Sequence, residues 1–227
     1  MRLVDAHITA QERLRRLVAN GVERTWTDLG AWNEPDAERF IATVVPFVRA
    51  SQKQSVMLTN AYVAKYLGRR PTALDPRLLD TLRAGVPADE VYHRPFVAVW
   101  TALKAGTRFE DAVNAGLARA TSTAAMDVQL ASRATFTALE QADDGIYGYQ
   151  RVADAGACDY CQAIDGAYVK SADAMALHNH CGCSLEPLTA PRGQSPLPDT
   201  VAVHEHGELG PVLGAPEHNF TTEESFT

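Results

Sequence analysis

Outside residues 158–183 this 227-residue chain has no cysteine. Cysteine is therefore not used here as a small core residue, and no disulfide framework runs through the chain. No apolar run approaches the roughly 20 residues that span a bilayer. The first 25 residues are strongly charged (Glu12, Arg13, Arg15, Arg16, Glu23, Arg24), so neither a membrane span nor a secretory leader is expected. Lysine and arginine form no stripe of the kind that tracks a phosphate backbone. Hydrolytic signatures are missing as well. There is no H-E-x-x-H and no G-x-S-x-G, and His206-Gly-Glu208 follows the cysteines, whereas a deaminase needs its H-x-E before them. Neither a catalytic constellation nor a small-molecule substrate is expected.

All four cysteines fall in one window, as Cys158-x2-Cys161 and then His178-Asn-His180-Cys181-Gly-Cys183. Two close pairs of soft ligands, separated by a loop and joined by histidines, predict a tetrahedral Zn2+ site. Cys158, Cys161 and His178 rank first as ligands, with Cys181 or Cys183 as the fourth. Gly182 allows the tight turn that lets either flanking sulfur face the metal. A pair of disulfides or a redox-active C-x-x-C are the alternatives, but no secretory leader or β-α-β pattern accompanies them. Asp165 and Asp173, between the two halves, have no catalytic spacing, so the zinc is expected to be structural. His204 and His206 form a weaker candidate pair.

The net charge is −7 and is unevenly spread. Residues 187–227 carry Asp199, Glu205, Glu208, Glu217, Glu223 and Glu224 against Arg192 alone, which leaves the remainder close to neutral. Six of the twelve prolines also lie in 187–216, so this stretch is read as an extended arm ordered against a partner.

The periodicity divides the rest. Residues 1–145 read as helices: Thr9-x-x-Glu12 as a capping box, Asn33-Glu34-Pro35 and Asp75-Pro76 as helix starts, and Pro46 as a kink or split. Thr107-x-x-Glu110 opens the longest helix. From Gly145 the pattern turns to β: a strand at 146–152, a hairpin about Asp165-Gly166, and a closing strand at 184–188. The expected fold is α+β. A helical body (1–145) is followed by a β-rich zinc module (146–188) and an acidic Pro/Gly-rich arm (189–227).

The segment around 149–187 resembles the C-terminal signature of the phage head morphogenesis family, the Mu F-like minor capsid proteins of tailed phages. Arg151, Asp154, Cys158, Cys161, Gly166, His178, Cys181, Cys183 and Pro187 carry the resemblance. Gly182 departs from it, because many members have a basic residue there. The acidic tail with its His-Gly-Glu-Leu-Gly run is similar to that of actinobacterial phage members. The resemblance implies a low-copy virion protein in the capsid interior near the portal vertex, made in the host cytoplasm. Its implied partners are the portal and other head proteins, with packaged DNA as a further candidate. A zinc-dependent nucleic-acid-binding protein or nuclease, or a capsid maturation protease, are the competing functions.

Overall fold

The computed structural model describes residues 1–172, 175–176, 178, 181–193, 195 and 197–214. Helices α1 (Leu3–Thr27), α2 (Glu34–Tyr66), α3 (Ala88–Lys104) and α4 (Phe109–Gln141) make the body, with a 3-10 segment at Pro76–Gly85. A short α5 (Asp159–Ala163) lies among strands β1 (Gly148–Val152), β2 (Tyr168–Val169) and β3 (Ser184–Leu188). Strands β4 (Ala202–His206) and β5 (Gly210–Gly214) follow. The expected α+β class holds.

Local chemistry sets most boundaries. Asn33 caps α2 by accepting a hydrogen bond from the Asp36 amide, and Asp75 caps the 3-10 segment by accepting one from Arg77. Helix α1 starts earlier than the Thr9 box suggests. Asp5 caps it by accepting from the Arg2 amide at 3.1 Å and from the Arg2 guanidinium, while Thr9 bonds back to the Asp5 carbonyl inside the helix. Helix α4 likewise starts at Phe109 with no side-chain cap. Pro46 does not split α2. Val44 and Val48 on either side are buried in the bundle, and this packing holds one helix through the proline.

One half of the core lies within the helices: Leu14, Val18, Val22 and Trp26 meet Phe40, Val44, Phe96, Val99 and Val128. Gly116 of α4 makes room for Trp26, since a methyl group there would meet Val99 at 2.5 Å and the indole at 2.8 Å. The other half crosses the expected boundaries. Val4, Ile8, Tyr62 and Phe136 pack with Tyr149 and Leu185 of the sheet and with Leu209 and Val212 near the C-terminal hairpin. The three-stranded sheet has order β2-β1-β3 and is antiparallel throughout.

Two differences from the expected β region stand out. Residues 162–164 are not a strand, because Asp159–Ala163 is helical and β2 pairs with β1. Within the segment expected to be an extended arm, β4 and β5 instead pair as an antiparallel hairpin lying on the body. Leu209, Val212 and Leu213 supply its buried apolar area. Arg133 of α4 donates to the Leu209 and Pro211 carbonyls, and Arg94 of α3 pairs with Glu208 at 2.7 Å. Residues 215–227, with Glu217, Glu223 and Glu224, lie outside the described part.

Candidate metal centre

The centre is built where β1 leaves the sheet. Asp154 accepts a hydrogen bond from the Gly156 amide at 3.1 Å, an Asx turn that delivers the chain to Cys158. Cys158 is the N-cap of α5, and its carbonyl accepts from the Gln162 amide at 2.9 Å. One helical turn then places Cys161 on the same side as Cys158, as neighbours three apart must be. This need for a turn explains why 159–163 is helical. On the other side, the Cys181 amide donates to the His178 carbonyl at 3.1 Å, and Cys181-Gly182-Cys183 runs directly into β3.

Folding brings both halves together. Cys158 Sγ lies 3.1 Å and Cys161 Sγ 2.9 Å from His178 Nε2, and Cys161 Sγ lies 3.8 Å from Cys181 Sγ. The donors fall into two metal-competent groups, Cys158-Cys161-His178 and Cys161-Cys181-Cys183, which share Cys161. Zinc–sulfur bonds of about 2.3 Å at the tetrahedral angle put two sulfurs about 3.8 Å apart. The Cys161–Cys181 separation matches that edge, while the two sulfur–His178 contacts are shorter than the roughly 3.6 Å of a thiolate–imidazole edge, so the cluster is metal-competent by its donor chemistry and closeness. All four cysteines are free thiols. Among the described residues this cluster can hold a metal ion. His180 and Asp173 lie outside the described residues. His204 and His206 belong to neither group, and His206 Nδ1 accepts from the Glu208 and Leu209 amides.

Charge is concentrated here. Hydrogen bonds from Cys161 and Cys183 hold Cys181 well below the usual thiol range, and Arg151 adds to this. Cys161, bonded to that anionic sulfur, is pushed up. Arg151 is itself 3% exposed. Burial works against its charge, but the sulfurs of Cys181, Cys183 and Cys161 outweigh the penalty and keep the guanidinium protonated. Burial also raises Asp154, followed by the charge of Cys181.

Two body side chains grip the centre from outside. Arg15 of α1 and Gln129 of α4 both donate to the Cys181 carbonyl. A side chain at Gly182 would collide with the Asp154 carboxylate and approach Arg15. Glycine at 182 is thus required by close approach. None of Arg15, Gln129 or Arg151 was legible as part of the site from ligand spacing alone. Arg151 entered only through the resemblance to the family signature, with no role attached to it.

A helical body closed by a sulfur-rich, metal-competent β module is the class of protein that fold and site define. A family model described as VG15 protein matches residues 2–204, and the chain belongs to that family, which is one of phage proteins. No curated protein and no solved structure matches the chain. Among the described residues, no helix is long and apolar enough to cross a membrane.

Proposed function

We propose that this chain is a minor capsid protein of the head morphogenesis type, a structural component of a tailed-phage virion. In this reading it associates with the portal and neighbouring head proteins in the capsid interior, after synthesis in the host cytoplasm. Membership of a phage protein family supports the virion assignment. The observation that carries the finer reading is the meeting of two donor groups, Cys158-Cys161-His178 and Cys161-Cys181-Cys183, at the junction of body and sheet.

The metal in this reading is zinc, since thiolate and imidazole donors in a tetrahedral set favour it over harder ions. Four protein donors fill the coordination sphere, so the ion acts as a cross-link and the protein is not an enzyme. Cys158 and Cys161 hold it from α5, while His178 and Cys181 hold it from the loop entering β3. The cross-link ties strands β1 and β3 at the point where the sheet ends.

Quantitative mass spectrometry of purified virions tests the assignment. Expected is a low-copy protein at a fixed ratio to portal, with about one zinc per chain in the isolated protein. Absence from virions overturns the capsid reading, and zinc-dependent cleavage of DNA or of capsid protein overturns the structural one.

A further inference from the structure

Among the described residues, no carboxylate pairs with the buried guanidinium of Arg151. Nη1 donates to the Ala176 carbonyl at 2.9 Å, and Nη2 lies 3.3 Å from Cys161 Sγ and 3.5 Å from Cys181 Sγ. Nε is buried with no partner. Among the described residues, no acidic side chain lies within ion-pair distance of it. The groups of opposite charge that face it are the sulfurs of Cys181, Cys183 and Cys161. A buried cation without a counter-charge is strongly disfavoured, so these sulfurs must supply the compensation.

We infer that Arg151 is a built-in counter-charge for the metal–thiolate centre, and that it fixes the ligand set as Cys158, Cys161, Cys181 and His178. The inference rests on the zinc reading above and extends it to a positioning residue outside the ligands. Three thiolates, a divalent ion and one guanidinium sum to zero. Four thiolates leave a net negative charge, and two thiolates with two imidazoles leave a net positive one. In a site of low dielectric the neutral sum is the least costly. Geometry chooses the third thiolate. Cys181 Sγ touches both Arg151 Nη2, at 3.5 Å, and Cys161 Sγ, at 3.8 Å, and the Cys181 amide donates to the His178 carbonyl. Cys183, though within 4.8 Å of Cys161 and Cys181, packs partly against the bundle core, and in this inference it stays outside the coordination sphere.

The experiment measures zinc affinity of the full chain against a chromophoric chelator at constant pH. Arg151→Gln removes the charge while keeping a hydrogen-bonding side chain, and Arg151→Lys keeps the charge. Expected is a loss of about 10- to 100-fold in the Gln variant, the usual effect of outer-shell partners, with the Lys variant near wild type. Wild-type affinity in Arg151→Gln overturns the inference. So does an equal loss in both variants, which would assign the effect to the hydrogen bond with Ala176. Failure of the wild-type chain to bind zinc overturns the metal reading itself instead. Should Arg151→Gln fail to fold, cobalt substitution of the wild-type, Cys181→Ser and Cys183→Ser chains decides. An unchanged sulfur-to-cobalt band in Cys183→Ser and a weakened one in Cys181→Ser support the inference. The opposite pattern, or equal weakening, removes it.

Discussion

His7 of α1 and Ser184 of β3, 177 positions apart, share a 2.8 Å hydrogen bond between Nδ1 and Oγ. His7 Nε2 faces Thr59 Oγ1 and Gln11 Nε2, each at 3.2 Å, and the ring stacks on Tyr62 at 4.6 Å. Ser184 follows Cys183 directly, so this buried network joins the first helix to the cysteine-bearing segment. Gln11 extends it to the Ser55 carbonyl, and Ser55 donates to the Val128 carbonyl. Three helices and a strand therefore meet through one imidazole.

Burial lowers the His7 pKa to about 4 from an ordinary 6.5. The unfolded chain then binds more protons than the folded one between those values. Stability is level above about pH 6.5 and falls as the pH drops toward 4. The contribution is on the order of 3 kcal/mol. Urea titrations of zinc-loaded protein across this window should show a steeper fall for wild type than for His7→Gln. Parallel curves would assign the acid sensitivity to other groups.

Chelating the metal should loosen the centre before the bundle. Amides of 158–163 and 181–185 are expected to lose hydrogen-exchange protection first, while those around Val44 and Val48 keep theirs. Uniform loss across both regions would show that the bundle cannot stand without the ion.

Truncation after Thr189 should be severe, because it removes Val201, Leu209, Val212 and Leu213 from the core. Each such side chain contributes about 1.5–3 kcal/mol when fully buried, so the sum approaches the stability of a typical domain. The truncated chain is expected to be insoluble or molten. Glu208→Gln, which weakens only the pairs with Arg94 and Arg83, should cost about 1–2 kcal/mol. A soluble truncated chain with the wild-type melting temperature would show that the hairpin is dispensable.

Asp127 is 4% exposed and accepts from Arg83 Nε at 2.6 Å and Tyr92 Oη at 2.8 Å. That ion pair holds Arg83 and Ala84 in left-handed conformations, with φ of 52° and 53°. Asp127→Asn should cost about 2–4 kcal/mol, whereas Tyr92→Phe should cost about 1. Exposed Ala84 should prefer glycine, which relieves the Cβ clash, by about 0.5 kcal/mol net of the added chain entropy. Denaturant midpoints of the three variants check this order, and a destabilised Ala84→Gly would contradict the strain argument.

The helical body and closing strand were legible because their signals are local. Asn33 and Asp75 cap their own helices, and Ser184–Leu188 follows directly from the second cysteine pair. The metal-competent cysteine cluster was legible for the same reason, through spacing within one window. What failed to show depends on distant partners. Thr9 looks like a cap until the turn before it is seen to be helical. Glu208 and Leu209 look like an acidic linker until Arg94, Arg83 and Arg133 are brought beneath them. Arg151 is polar by composition but sits in the core, because its counter-charges come from sulfurs 10 and 30 positions away.

The link between His7 and Ser184 also sets a timetable for synthesis. A ribosome adds roughly 5–20 residues per second, so the 177 positions between them represent about 10–35 s of elongation. Thr59 and Ser55 of α2 can meet His7 Nε2 and Gln11 early, but throughout that interval His7 Nδ1 still faces where Ser184 will sit. The four-helix body can gather early around Trp26, but its lower half has no closing surface until β3 emerges. The nascent chain thus waits, half-collapsed, for its own C-terminal third, and this is the period in which a chaperone would have something to hold.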